Sequence, residues 1–405
     1  KQAQTCPADA ERLHLIANNC LQLSQGAPET FLQGLQLFYF AWRVRSLNYT
    51  SCIGRLDAQL QPLYDKDRAD GMTREAALAY LCELIIKLNK MGQGDTLMNV
   101  MLGGVDKAGR DSTSELSVQI IEAAEKCAMP EPHINVRIHE QTPAYFWEAV
   151  CKLIAQGQGQ GTLYLDEAII PQLVKSGYDL EVARCYANDG CTEVTLEGSS
   201  DIQFWQVEAM KTLELALFNG KDNPCAPYSP IRKWNRQEQS KVYKSQLVFG
   251  IESGDVQACK TFQQFMVCFY RQWDAQLTRY CERICEQIIS DKEQQTRQTS
   301  LLVQSLTPRC LDEGVEVIRG GYVCDNYQLL SGSLPTVADC LAGIQKVVFE
   351  DERCSMADLL TALACNFQNY EPLRQQLADA PKFGNDDPMV DGIAAELATH
   401  FCEFV

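Results

Sequence analysis

His133-Ile-Asn-Val-Arg-Ile-His139 alternates apolar and polar residues, the pattern of a strand whose two sides meet different surroundings. Upstream, Asn99-Val-Met-Leu-Gly-Gly104 reads as a short strand ending on glycines. Downstream, Thr162-Leu-Tyr-Leu-Asp-Glu-Ala-Ile-Ile170 reads as a third strand. Helical patterns over 115–129 and 143–156 separate the three, and another is expected over 171–186. Strand and helix alternating at this spacing predicts an α/β fold with parallel crossovers, in which function gathers at strand ends.

Away from this centre the chain reads mostly as helix. Residues 8–46 form two, the second buried through Phe31, Leu35, Phe38 and Trp42. A loop over 46–57 follows, in which Gly54 permits a tight backbone approach. Residues 73–90 are amphipathic, with Ala76, Leu78, Leu81, Leu84, Ile85 and Leu88 on one side. Helices are expected over 201–220, 255–291 and within 335–379, and strands at Ser300-Leu-Leu-Val-Gln304 and Gly321-Tyr-Val-Cys-Asp325. Pro381-Lys-Phe-Gly-Asn-Asp-Asp-Pro388 is a loop rich in turn formers, before a last helix. Gly157-Gln-Gly-Gln-Gly161 precedes a strand instead of joining a strand to a helix, so it reads as a turn and not as a phosphate loop. With no repeat and no obvious linker, one domain over 1–405 is expected.

Lys+Arg at 36 against Asp+Glu at 53 leaves a net charge of −17, which argues against nucleic acid or an anionic membrane as partner. No apolar run is long enough to span a bilayer, and the expectation is a cytoplasmic protein. Lys1-Gln-Ala-Gln-Thr-Cys6 has neither an initiator methionine nor a signal-peptide core, so the segment reads as cut from something larger. The 19 cysteines are scattered without any Cys-x-x-Cys, which argues against a disulfide framework, a zinc ribbon or an iron–sulfur cluster. Cys268, Cys281 and Cys285 recur at helical spacing and are expected as small core residues. His14, His133, His139 and His400 are too dispersed to suggest a metal site. Arg55 with Asp57, and Arg137 with His139, read as buried charge and hydrogen-bond pairs.

The chemistry concentrates at Arg184-Cys-Tyr-Ala-Asn-Asp-Gly-Cys-Thr-Glu-Val-Thr-Leu-Glu-Gly198. Cys191 follows Gly190 on a turn, and Glu193 stands two residues on. In an extended segment such residues project to one side, so thiol and carboxylate address one small molecule together. Taken alone, Cys191 reads as one more buried or surface thiol, and the plain alternative for Glu193 is a solvated loop acid.

Gly190-Cys191-Thr192-Glu193 resembles the active-site loop of glycyl radical enzymes, in which the cysteine carries a transient thiyl radical and the glutamate moves a proton. Further stretches resemble the pyruvate formate-lyase-like part of that family in the same order. These are Gly54-Arg-Leu-Asp57, Asn99-Val-Met-Leu-Gly-Gly104, Asn135-Val-Arg-Ile-His139, Asp166-Glu-Ala-Ile-Ile-Pro171 and Pro381-Lys-Phe-Gly-Asn-Asp-Asp387. The resemblance implies part of a ten-stranded α/β barrel made of two half-barrels and wrapped by helices. It also implies that Cys191 and Glu193 are catalytic. No metal or cofactor is implied on this chain. The radical would come from a glycine outside these residues, installed by a separate activating enzyme that uses S-adenosylmethionine and an iron–sulfur cluster.

The family keeps its radical glycine in Arg-Val-x-Gly-Tyr near its C-terminus. Nothing after Asp391 supplies that motif, and Ile318-Arg-Gly-Gly-Tyr322 falls too early. The N-terminal helical part and the C-terminal radical domain are therefore expected to be absent. A fragment, a subunit completed by another chain and an inactive copy all remain open. Open sheet edges would need covering, so self-association or a missing partner chain is expected.

Where dehydratases of the family carry a His-Ser pair, this chain has Tyr49 and Thr50, which either shape the pocket or plug the barrel mouth. The family's substrate-binding aspartate falls near Asp201 or Gln203. The resulting expectation is a radical lyase of the dehydratase or C–X type acting on a small polar or carboxylated metabolite. An arylacetate-type decarboxylase, a formate acetyltransferase-like enzyme and a non-catalytic metabolite- or partner-binding relative are the alternatives.

Overall fold

The computed structural model describes residues 9–45, 52–91, 98–190, 193–198, 200–225, 250–294 and 301–405. They form two compact units, Lys1–Asp201 with Thr299–Cys324, and Ile202–Gln298 with Asp325–Val405.

The first unit opens with four helices: α1 Ala10–Leu23, α2 Phe31–Arg45, α3 Leu56–Ala69 and α4 Arg74–Met91. Phe31 is fully buried and meets Tyr64 of α3 edge to face at 5.4 Å. Strands β1 Asn99–Gly103, β2 His133–Ile138 and β3 Thr162–Leu165 form one parallel sheet in that order, with Asn99 opposite His133 and Asn135 opposite Thr162. The crossovers are α5 Glu115–Cys127 and α6 Ala144–Ala155. Ser114 and Ser117 cap α5 reciprocally, which fixes where the helix starts.

Period-two alternation gives the sheet two different faces. Val100, Leu102, Ile134, Val136 and Ile138 are buried in a core shared with Leu116, Ile120, Ile121, Phe146 and Val150 from the helices. Met101 and Tyr164 belong to a separate small cluster with Tyr186, Ala187 and Leu196. Asn99, Asn135 and Arg137 alternate with the first set along β1 and β2, so they share this second face. Residues 53–54 run beside β1: Ile53 N donates to Asn99 O at 2.8 Å, and Met101 N to Gly54 O at 2.9 Å.

Beyond β3 come α7 Asp166–Lys175, the short α8 Leu180–Ala183, and an antiparallel hairpin of β4 Tyr186–Asp189 and β5 Glu193–Leu196. In the second unit, β6 Ser200–Glu208 leads into α9 Ala209–Leu217 and the long α10 Phe262–Gln294. Residues 301–313 return to the first unit as α11 Leu301–Leu306 and α12 Pro308–Glu313. Strand β7 Cys324–Gly332 then pairs with β6, and α13 Leu334–Ile344, α14 Met356–Ala364, α15 Glu371–Ala378 and α16 Pro388–Phe404 complete the second unit. Its core gathers Phe265, Phe269, Trp273, Val337, Leu341 and Val390.

Several expectations are corrected here. The third strand stops at Leu165, because Asp166 turns inward to a buried ion pair and starts α7, so the 171–186 helix becomes α7, α8 and the beginning of β4. Residues 200–208 are strand and not helix: Trp205 stacks on Tyr327 of β7 at 6.1 Å, a partner far away in sequence. Leu301–Leu306 is helical, and the strand expected at 321–325 starts at Cys324. The described cysteines are free thiols, but only Cys268 of the three core candidates is buried, with Cys281 half-buried and Cys285 exposed. Gln160, within the glycine-rich turn, accepts from Ile134 N at 2.7 Å and donates to Met129 O at 3.2 Å, so the turn braces the start of β2. No helix among the described residues is long and apolar enough to cross a membrane.

Candidate active site

Strands β4 and β5 pair with Asp189 opposite Glu193, so the chain passes from one to the other through Gly190, Cys191 and Thr192. Cys191 and Thr192 lie outside the described residues, and so do Tyr49 and Thr50. Gly190 has φ +52°, a left-handed conformation that favours glycine. A β-carbon there would also stand 2.8 Å from Cδ and 3.0 Å from Oε1 of Glu193. The half-buried Glu193 therefore folds its carboxylate back over the residue that precedes Cys191.

Both backbone groups of Gly190 are held. Its N–H donates to Oδ1 of Asp189 at 2.9 Å, and its carbonyl accepts from Nδ2 of Asn99. Asn99 Nδ2 also donates to the sulfur of Cys52 at 3.6 Å, and the Cys52 thiol donates to Asp189 Oδ1. Asn135 Nδ2 in turn donates to Asn99 Oδ1 at 2.9 Å, and both asparagines are buried. Burial, together with the Asp189 carboxylate, pushes the Cys52 thiol up to about 12, so it remains S–H at working pH.

The other end of the hairpin is anchored by charge. Arg137, fully buried on β2, makes a two-pronged pair with Asp166 at 2.9 Å through both nitrogens. Its remaining nitrogen donates to the carbonyls of Arg184 at 3.0 Å and Tyr186 at 3.1 Å, and its guanidinium lies 3.9 Å from the centre of the Tyr186 ring. Tyr186 donates its hydroxyl to Asp166 at 2.7 Å. Arg137 meets Tyr186 and Asn99 meets Gly190, so β4 lies across the polar face of the sheet.

Beyond β5, Glu197 accepts from Arg55 N at 2.8 Å and from Gln59, tying the returning strand to the start of α3. Burial raises its carboxyl above the usual range. Arg55 does not pair directly with Asp57: it donates to Gly103 O at 3.0 Å and Ser112 Oγ at 2.7 Å. Asp57 instead accepts from Ser117 Oγ at 2.6 Å and Gly103 N at 2.9 Å, and burial raises its carboxyl too. His139 is held by Asp111 at 3.0 Å and not by Arg137.

Of the sequence-derived candidates, Glu193 sits against Gly190 as described. Asp201 and Gln203 stand on β6, where Gln203 is half-buried; the Asp201 side chain lies outside the described residues. No cluster of three or more His, Cys, Asp or Glu among the described residues is arranged to hold a metal. Cys52, Asn99, Asp189 and Asn135 were not singled out by the sequence reading. The available signal was polar asparagine on strands whose alternate positions are uniformly apolar.

The chain matches the pyruvate formate lyase-like family over residues 1–405. The trans-4-hydroxy-L-proline dehydratase of Clostridioides difficile is 28% identical over 418 residues, covering 98% of this chain and 50% of that enzyme. The (2S)-3-sulfopropanediol dehydratase of Klebsiella oxytoca is 27% identical over 424 residues, covering 98% and 48%. The crystal structure of hydroxyproline dehydratase from Clostridioides difficile with trans-4-hydroxy-L-proline bound matches with a TM-score of 0.82 and 27% identity, over 98% of this chain and 50% of that one. The chain spans about half the length of the curated relatives it matches. The expected α/β fold of the pyruvate formate-lyase type is thereby borne out, and the chain belongs to the pyruvate formate lyase-like family of glycyl radical enzymes.

Proposed function

We propose that this chain is the thiyl-bearing portion of a glycyl radical lyase, of the dehydratase or C–X lyase type, acting on a small polar metabolite. The observation that carries the reading is the Glu193 carboxylate lying over Gly190, next in the chain to Cys191, on a hairpin clamped across the polar face of the sheet. Asn188 supports a polar substrate: it is fully buried on β4, and neither of its amide atoms finds a hydrogen-bond partner among the described residues. Tyr49, Thr50, Asp201 and Gln203 are assigned to substrate contact by their place in the family's motifs.

A glycyl radical outside these residues, installed by an activating enzyme with S-adenosylmethionine and an iron–sulfur cluster, would supply the unpaired electron by taking the hydrogen atom of the Cys191 thiol. Cys191 then takes a hydrogen atom from a substrate carbon, forming S–H as C–H breaks. Glu193 accepts the proton of the hydroxyl or amine on that carbon, and the neighbouring C–O, C–N or C–S bond breaks with its electron pair leaving on the departing group. The product radical takes its hydrogen atom back from Cys191, which restores the thiyl. The dehydratase or C–X lyase reading is preferred to the decarboxylase because the relatives at 27–28% identity are dehydratases and sulfite-lyases by name.

The test is anaerobic turnover by the activated enzyme of trans-4-hydroxy-L-proline, (2S)-3-sulfopropanediol and glycerol, repeated with Glu193→Gln. One of the three is expected to be consumed. Glu193→Gln is expected to lose roughly 100-fold or more of that rate while the radical forms normally, in keeping with the usual worth of a positioned proton acceptor. Normal turnover by Glu193→Gln would remove the carboxylate from the reaction, and no turnover of any compound would favour a binding protein.

A further inference from the structure

The hairpin is held by more than its own two strands. Asn99 reaches from β1, 91 residues earlier in the chain, to the carbonyl of Gly190. Cys52 reaches from a different segment, 137 residues before Asp189, to the carboxylate that holds the Gly190 amide. One Asn99 amide nitrogen serves both the Gly190 carbonyl and the Cys52 sulfur, using the two hydrogens it has to give. Asn135 accounts for the Asn99 carbonyl oxygen, which fixes which way the amide faces.

Gly190, the residue before Cys191, is thus gripped at its amide nitrogen and at its carbonyl oxygen, in the two peptide units that flank its Cα, by groups that are themselves hydrogen-bonded. We propose that Cys52 and Asn99 are positioning residues that set the backbone geometry of Gly190, the residue from which the chain enters Cys191. The catalytic meaning of that geometry rests on the radical-lyase reading, but the positioning itself does not.

Cys52 suits this task for a chemical reason. Half-buried beside the Asp189 carboxylate, its thiol is held as S–H at neutral pH and donates to Asp189 without adding a second negative charge. Among the described residues, Asp189 accepts from the Cys52 thiol and the Gly190 amide, both neutral donors, and Asn99 beside them is neutral as well. Serine retains an O–H donor at the same position, whereas alanine removes it. Loss of the donor removes the thiol's hold on the carboxylate that accepts from Gly190 N.

The test needs neither substrate nor radical. In the full protein, kept reduced, the alkylation rate of Cys191 by iodoacetamide is followed by peptide mass spectrometry from pH 6 to pH 9. Hydrogen–deuterium exchange of the peptide spanning 184–198 is followed in parallel. Cys52→Ala and Asn99→Ala are expected to raise both the Cys191 alkylation rate and the exchange rate of this peptide by about tenfold, the effect of losing one buried hydrogen bond. Cys52→Ser is expected to restore both to within about twofold of the parent. Exchange in β2 serves as the control for folding, and a variant that disturbs it is replaced by Asn99→Ser.

Unchanged alkylation and exchange in Cys52→Ala and Asn99→Ala, with β2 intact, would overturn the proposal. Equal effects of Cys52→Ser and Cys52→Ala would also overturn it, since bulk and not the donor would then matter. Neither result bears on whether Cys191 carries a radical, which turnover by a Cys191 variant decides separately.

Discussion

The carboxylate of Glu193 lies against the Cα of Gly190, with its Cδ 2.8 Å from the place a β-carbon would take. Gly190 is thus required twice, by its left-handed φ of +52° and by the carboxylate that occupies its open side. Glu193 opens β5, and its side chain turns back towards the end of β4.

Gly190→Ala should therefore carry two penalties, and Gly177→Ala separates them. Gly177 also has a positive φ, +99°, but nothing lies within 4 Å of where its β-carbon would stand. Urea titration is expected to show a loss of about 1–2 kcal/mol for either substitution, from the left-handed backbone alone. Turnover should disappear only in Gly190→Ala, where the new methyl displaces the carboxylate.

Arg137 and Asp166 form the buried pair on which β4 rests, with relative exposures of 0% and 3%. Removing one partner strands the other charge in the interior, so Arg137→Met and Asp166→Leu should each cost about 3–5 kcal/mol in denaturant titration. The double substitution should cost clearly less than the sum, because no unpaired charge remains. Additive losses would mean that the two groups act independently.

The alternation in β2 was legible because it divides apolar from polar residues cleanly between two faces, and α5 and α6 carry the matching periodicity; β1 shows it at Asn99 against Val100 and Leu102, with Met101 apolar on the second face. The extent of β3 was not: Ala-Ile-Ile after Asp166 is apolar in either period, and the turn is set by an ion pair to Arg137, 29 residues earlier. Strand β6 was misread because its partner β7 lies more than a hundred residues on. At the candidate site, Gly190 and Glu193 were visible as neighbours of Cys191. The clamp by Cys52 and Asn99 was not, since it joins segments that only the folded chain brings together.

Glu197 gives a pH signature. Burial raises its carboxyl above the ordinary value, so the folded state holds the proton more tightly than the unfolded state does. The stability it contributes is full below the unfolded value of about 4.3 and is lost as pH rises through the folded value. Glu197→Gln keeps an oxygen to accept from Arg55 N and removes the charge. Thermal melting should show the variant gaining on the parent between pH 4 and pH 8. A constant difference across that range would mean that the carboxyl titrates alike in both states.

Cys191 is proposed to take the hydrogen atom from the substrate. The direct test is the Cys191→Ala variant of the enzyme, activated anaerobically and examined both by electron paramagnetic resonance and by turnover of the compound that the parent consumes. The expected result is a glycyl radical doublet of normal intensity with no product formed. Product formation at the parent's rate would contradict the account, because the carbon–hydrogen bond would then be broken without that sulfur.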